Sequence, residues 1–592
     1  MYRFPPFPWL SKQSDSYVAT LIPKTNRVLH RHVHQMQQVL LKPREIHRDV
    51  VESIVSSYLI HARCRCMNKM SGLALQQSTR HRPESKLIRG MPVLYLTVTT
   101  TGAAVMILEL LGTRIIGPFY GVSLYVWASL IAVTLIALAL GYFLGGYLSD
   151  RVPALRLSHV ILVAALGTAA IPFLTGPILR VTDPLGLRAG AFSSALLLFT
   201  LPLTALAMVG PYVIKRATRD LSGVGTVAGS VYAVSTVGSV AGTLLLGFFL
   251  LPLFGTKAIL VSLGLLLTTL AALIVWHERS DSVKARWAGS LMAVAVVLAT
   301  LTTSGLAATY KSVEGFTVRS EAESLYGWVR VVDDERRGYR LMLSDASVIS
   351  AVDMKLDRSV LGYQQVLGLL PLFRPQASQS LLIGLGGGHV ARDLKSKGIA
   401  TDTIEIDPAV ADAAQRFFNF EPTGRFLVGD ARYEIKQLNR RYDLIIHDCF
   451  TGGTEPTHLL TQEMLSELRS LLNEGGLLAL NYVGFMTGEG SDAVAAVYRT
   501  LQSLFPHLRV FTTEKSDFTD FVFLASEAPI VLDASSEDTR IRWLIEHEHR
   551  IPDMDGFTIT DDYNPMESRQ VRKSEAYRKL FLERIAFELL LR

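Results

Sequence analysis

Seven apolar stretches, each about 20 residues or longer and so able to cross a bilayer, follow one another between residues 91 and 308. They lie near 92–117, 122–148, 157–179, 189–213, 225–253, 256–276 and 287–307. At 1.5 Å per residue, a helix of that length matches a hydrocarbon core of about 30 Å. Of the 18 charged residues between 91 and 310, sixteen fall in the connections. Glu109 and Arg114 are the exceptions, five residues apart within the first stretch. There an unpaired charge is expensive, so the expectation is an internal ion pair, snorkelling of Arg114, or a substrate or proton pathway. The pattern predicts a multipass α-helical domain over 91–308, integral to a lipid bilayer. Gly141, Gly145 and Gly146, and Gly229, Gly238 and Gly242, suit close helix packing.

Hydrophobic residues make up 49% of the chain and charged residues 19%, which excludes a disordered or collagen-like protein. Cys64, Cys66 and Cys449 cannot form a disulfide framework, and no His, Cys or acidic residues have metal-ligand spacing. No metal is expected. The net charge of +6 resides in residues 1–90, with fifteen Lys/Arg against five Asp/Glu, whereas the remainder holds 44 against 48. The basicity belongs to a tail, so no nucleic-acid partner is implied. That tail reads as disordered and cytosolic, with a mitochondrial targeting segment as the alternative. Eight basic residues (Arg151, Arg156, Lys215, Arg216, Arg219, Arg279, Lys284 and Arg286) lie in alternate connections, against Arg180, Arg188 and Lys257 in the others. The positive-inside rule puts the larger set in the cytosol, and seven spans would put the chain beyond residue 308 on the other side.

Beyond residue 310 the composition becomes that of a soluble domain. Residues 326–332 and 339–343 alternate as a β-hairpin around the turn 333–338, and 356–371 read as a helix, giving a small β-domain with its linking helix over 312–375. From 376 to 592 strands and helices alternate, which predicts a doubly wound, Rossmann-like parallel sheet. Gly384, Gly386, Gly387 and Gly388 follow an apolar strand and open a helix, so backbone can approach a ligand closely. Glu405 stands 21 residues after Gly384, at the end of the next strand, where a carboxylate can accept both hydroxyl protons of a ribose. Gly429-Asp430-Ala431 after the third strand favours an adenosyl sulfonium over a dinucleotide, because an acid there suits an adenine amino group. The fourth strand, Tyr442–His447, ends at Asp448.

Gly386–His389, Glu405-Ile406-Asp407, Gly429-Asp430 and Tyr442–Asp448 resemble the successive motifs of the spermidine/spermine synthase family, a set of AdoMet-type folds preceded by a small β-domain. Leu108–Arg114, Gly141–Arg151, Pro456–Glu463 and Thr560–Pro565 resemble the membrane-fused members of that group. The resemblance covers roughly residues 98 to 567. It implies a donor site of Gly384, Gly386, Gly387, Gly388, Glu405, Asp407, Asp430 and Ala431, with Glu405 on the ribose and Asp430 on the adenine. It implies Asp448 as the group that takes a proton from the attacking amine, and Tyr363, Gln364, His389 and Thr451 as substrate contacts. The implied reaction moves an aminopropyl group from decarboxylated S-adenosylmethionine to a polyamine or other small amine, and soluble relatives suggest a homodimer.

The departures are specific. The soluble synthases carry Asp where this chain has His389, a second acid where it has Thr451, and Tyr-His-Glu where it has Tyr363-Gln364-Gln365. A dication needs such carboxylates, because burying unpaired ammonium costs several kcal/mol. Two alternatives therefore stand beside aminopropyl transfer: S-adenosylmethionine-dependent methyl transfer, and a transporter-like membrane protein whose nucleotide domain only senses metabolites. Adenosyl donors are made in the cytosol, which opposes the charge-based topology and leaves the side of the soluble domain open. His447 and His458 read as hydrogen-bonding residues, Cys449 as a buried thiol, and residues 574–592 as a packing helix.

Overall fold

The computed structural model describes residues 84–121, 123–218, 220–277, 313–450, 454–514, 516–533, 535–551 and 556–590. The basic tail up to Pro83, the apolar stretch 287–307 and Thr451 lie outside them. Five helical runs among the described residues are long and apolar enough to cross a membrane. The third, Leu157–Ala217, doubles back at Asp183–Leu185, so the described residues supply six helices to the bundle: α1 (Glu84–Tyr120), α2 (Leu124–Arg151), α3 (Leu157–Thr182), α4 (Gly186–Ala217), α5 (Val224–Leu245) and α6 (Thr256–His277). A π-turn, Leu246–Leu250, carries α5 on to Leu253.

Small residues set how closely these helices approach. A side chain at Gly238 or Gly242 would collide with the α1 backbone at Thr99 and Ala103, and one at Gly141 or Gly145 with α4 near Met208. Gly146 and Gly229 face open space instead, so two of the six glycines singled out by spacing make no close contact. The outer surface stays apolar, with Leu135, Phe143, Leu174, Leu201 and Phe248 exposed. A water-facing bundle would place charged side chains there.

The soluble part begins with an antiparallel five-stranded sheet in sequential order: β1 (Phe316–Glu323), β2 (Trp328–Asp334), β3 (Tyr339–Ser344), β4 (Ser347–Asp353) and β5 (Arg358–Ser359). Only Tyr363–Gly368 (α7) of the helix expected over 356–371 is helical. Asp357 adopts a left-handed φ of 50° and Arg358 pairs with Asp353, so the first half of that stretch is a turn and a short strand. The second sheet contains β6 (Gln379–Ile383), β7 (Ala400–Glu405), β8 (Phe426–Val428), β9 (Tyr442–His447), β10 (Leu472–Phe485), β11 (His507–Thr512) and β12 (Phe518–Ser526). Its order is β11-β12-β10-β9-β6-β7-β8, with β12 antiparallel to its neighbours. This is the AdoMet-type α/β arrangement, in which the order of successive strands reverses between the parallel β6 and β9 and leaves a crevice beyond the strand ends. Its helices are α8 (His389–Ser396), α9 (Pro408–Phe417), α10 (Ala431–Glu434), α11 (Gln462–Ser470), α12 (Ser491–Gln502) and α13 (Thr539–Glu546). The chain closes with α14 (Met566–Arg569) and α15 (Val571–Arg584).

One face of the small sheet, through Val331 and Met342, packs against Leu367, Phe373 and Leu382 of the large domain. Its other face, through Leu341, Leu343 and Ala351, shares a core with α1–α6 and with Phe581 and Ile585 at the chain's end. Polar contacts fix the same junction. Arg114 donates to the carbonyls of Ser324 (3.1 Å) and Leu325, so its partners include the β1–β2 connection. Glu323 accepts from the Thr256 backbone at 2.8 Å, Arg578 pairs with Asp183 at 2.5 Å, and Glu588 pairs with Arg180 at 2.5 Å. The soluble domain therefore sits at the bundle end formed by the α1–α2, α3–α4 and α5–α6 connections. Lys215 and Asp150, 2.8 Å apart, mark the opposite end.

Candidate functional site

A single cavity of about 1,030 Å³ occupies the crevice beyond β6, β7 and β9 and extends under the small sheet and α15. Its floor is set where β6 turns into the glycine loop. Gly384 has φ +87°, and a side chain there would run into the Asp448 carbonyl. Gly388, at φ +76°, begins α8 with Phe420 pressed so close that a Cβ would lie 2.6 Å from its ring. Gly384 and Gly386 line the cavity, whereas Gly387 and Gly388 sit behind the loop and give it its shape.

Glu405, the last residue of β7, is buried and faces this floor. One carboxylate oxygen accepts from the Leu385 amide and the other from the Asp407 amide, both at 2.9 Å. Burial pushes its pKa up to about 7, against the pull of those two amides. Each oxygen keeps a further lone pair, so a vicinal diol fits the carboxylate without displacing a protein contact. Asp430 caps α10 by accepting from the amides of Arg432 (2.9 Å) and Tyr433 (3.2 Å) with Oδ1. Its Oδ2 lies 3.9 Å from His458 Nε2, at the cavity wall beside Ala431 and Leu459. Asp407 differs from its motif partner. Its Oδ1 caps α9 through the Ala409 amide and its Oδ2 accepts from Ser324 Oγ, both at 2.8 Å, which ties the site to the small sheet.

Asp448 follows β9, its amide bonded to the Ile383 carbonyl at 2.8 Å, and its half-buried side chain faces the cavity. Burial raises its pKa to about 6, while hydrogen bonds from Asn481 Nδ2 (3.0 Å) and the Tyr363 hydroxyl hold it down. Near neutrality it is an ionised carboxylate whose conjugate acid is only weakly acidic, which suits proton acceptance from an amine. Tyr363 and Gln364 line the same region. His389 does not: it is buried behind the loop, 3.2 Å from Ser350 Oγ and edge-on to Phe418. Burial lowers its pKa to about 4, so it is neutral and structural, and its reading as a substrate contact is corrected. Thr451 lies outside the described residues. Cys449 is a thiol kept protonated by burial and by neighbouring carboxylates, and no group of metal ligands occurs among the described residues.

Three further features were not anticipated. Asp520, on β12 opposite Val483 of β10, faces Asp448 across the cavity, and burial and the nearby acids raise its pKa to about 7. Glu455 and Lys573 form a buried ion pair beside them, the lysine 3.8 Å from the Tyr482 ring centre. Burial lowers the lysine's pKa and raises the glutamate's, and their mutual attraction opposes both. The terminal helix α15 does more than pack, because Tyr577, Leu580, Phe581 and Arg584 form the cavity's roof.

No family model matches the chain. An N-terminal histidine N-methyltransferase of Emericella nidulans is 30% identical over 285 residues, covering 42% of this chain and 50% of that protein. A polyamine aminopropyltransferase of Vibrio vulnificus is 38% identical over 146 residues, covering 24% of this chain and 48% of its own length. This chain thus spans about half the length of these curated relatives. Among solved structures, a probable spermidine synthase from Corynebacterium glutamicum aligns with a TM-score of 0.34 at 16% identity, over 44% of this chain and 95% of its own.

Glu405 is expected to govern nucleotide affinity. Replacing it with Ala should weaken methylthioadenosine binding by about 2 kcal/mol or more, since buried hydroxyls lose a charged partner. Binding favours the ionised carboxylate, so wild-type affinity should fall as pH drops below about 7. Calorimetry showing the same affinity in Glu405→Ala, or no pH dependence, would remove the ribose role.

Proposed function

We propose that this chain is a membrane-bound transferase that moves an alkyl group from an adenosyl sulfonium to a nitrogen acceptor. The observation that carries this reading is Asp448, a carboxylate tuned to about 6 and placed where the glycine loop and the acceptor part of the cavity meet. The donor supplies an electrophilic carbon on a positively charged sulfur. The acceptor's nitrogen lone pair forms the new C–N bond, the C–S bond breaks with its electrons going to sulfur, and Asp448 takes the proton lost by nitrogen. The protein's contribution is positioning and proton acceptance, with Glu405 and Asp430 holding the adenosine and Asn481 and Tyr363 orienting Asp448.

Methyl transfer from S-adenosylmethionine is the form we favour. Decarboxylated S-adenosylmethionine ends in a lone ammonium, and the residue following the glycines is a neutral, inward-facing histidine instead of an acid. The tail of S-adenosylmethionine carries an ammonium with a carboxylate beside it, so part of that charge is balanced within the ligand, and its carboxylate needs a partner of its own. Aminopropyl transfer is the second reading, favoured by Asp448 and Asp520 facing one another in the acceptor region.

The purified full-length chain, incubated with each sulfonium donor and a panel of peptide and polyamine amines, should add a methyl group as read by mass. Addition of an aminopropyl group would select the second reading, and no addition to any amine would reject transfer. Asp448→Asn should keep methylthioadenosine binding and lose turnover by about 100-fold or more. Full turnover in that variant would place the base elsewhere.

The topology belongs to the same proposal. Arg151, Arg156, Lys215 and Arg216 lie at the bundle end opposite the α/β domain, so the positive-inside rule favours the non-cytosolic side for that domain, against the cytosolic origin of adenosyl donors. In sealed, cytosol-side-out vesicles, a tag after Arg592 should resist protease until detergent is added, while one before Met1 is cleaved. A cleaved C-terminal tag would reverse the orientation or make the number of spans even.

A further inference from the structure

Three hydrogen-bond acceptors in the acceptor region of the cavity lack donors. Asn481 gives its amide N–H to Asp448, which leaves its Oδ1 without a partner, although the side chain is only 5% exposed. Gln364, 8% exposed, gives its N–H to the Tyr363 hydroxyl at 3.3 Å, and its Oε1 is likewise unpartnered. The Asp520 side chain faces these groups and makes no hydrogen bond or ion pair among the described residues. Lys573, whose charge reaches Asp520, is itself bonded to Glu455. Glu514 adds a further carboxylate at the rim.

Buried acceptors without donors are costly, and a ligand bearing several N–H groups and positive charge satisfies them together. Strand geometry shows that this arrangement is built in. Asn481 and Val483 of β10 lie opposite Val522 and Asp520 of β12, so alternate residues on two neighbouring strands present their polar groups to one face.

We propose that Asp520 is a specificity-determining residue that holds a second positive charge of the acceptor. The ligand class is an amine that offers one nitrogen to Asp448 and a separate ammonium to Asp520, its remaining N–H groups being accepted by Asn481 and Gln364. This assignment rests on reading the cavity as a joint adenosine and amine site.

The test uses the full-length chain in detergent, saturated with methylthioadenosine, and two probes of equal length, pentane-1,5-diamine and n-pentylamine. Calorimetry should show the wild type binding the diamine about tenfold or more tightly than the monoamine. Asp520→Asn should abolish that preference while leaving the affinities for n-pentylamine and methylthioadenosine unchanged, and Asp520→Glu should restore part of it. A wild type without the preference, or an Asp520→Asn variant that keeps it, would overturn the assignment. Should Asp520→Asn also lose methylthioadenosine, Asp520→Glu decides: a retained preference supports the role and an absent one overturns it. Because binding is the readout, failure to find alkyl transfer would count against the proposed reaction and leave this assignment standing.

Discussion

The end of β6 is the constraint on which the site depends. Within three residues, the Ile383 carbonyl accepts the Asp448 amide, Gly384 packs on the Asp448 backbone, and the Leu385 amide binds Glu405. The Glu405 and Asp448 carboxylates are thereby held to the same short piece of backbone. Sheet topology makes this possible, because β7 and β9 flank β6 and both end at the crevice. A left-handed turn at Gly384 is what lets the loop leave the strand without striking β9.

The helical bundle reaches the same place by two routes. Arg114 of α1 fixes the carbonyls of Ser324 and Leu325, the Ser324 hydroxyl binds Asp407, and the Asp407 amide binds Glu405. From the other side, α15 roofs the cavity with Tyr577 and Phe581 while Arg578 pairs with Asp183 and lies 5.2 Å from the Phe119 ring centre. The buried Glu455–Lys573 pair joins that roof to the edge of β10, where Glu455 also accepts the Val483 amide at 2.8 Å. Breaking such a pair on one side leaves a buried charge uncompensated, which makes it a rigid link. The bundle and the site are therefore mechanically continuous in the described structure.

How much of this was legible depended on range. β6, β7, β8 and β9 could be read because parallel strands buried on both faces are short apolar runs, and the glycines and acids at their ends are local signals. Glu405 could be placed by its strand end and its spacing from the glycines, whereas the role expected of Asp448 came from the family resemblance. β11 and β12 went unread because the hairpin breaks the strand–helix alternation, and Asp520 was hidden with them. Asp407 belonged to a recognisable motif, yet its carboxylate is occupied by a cap and by Ser324, 83 residues earlier. Arg114 looked like half of an ion pair within its helix, but its partners include backbone carbonyls more than 200 residues away. Local pattern does not encode contacts of that separation.

The central claim is that Glu405 and Asp448 face one bound adenosyl group from opposite sides of the glycine loop. Determining the structure of the full-length chain with S-adenosylhomocysteine tests it most directly. The account predicts ribose hydroxyls on Glu405, adenine beside Asp430, and sulfur turned toward Asp448 with Asp520 beyond it. A nucleotide bound away from Glu405, or a sulfur turned away from Asp448, would contradict it.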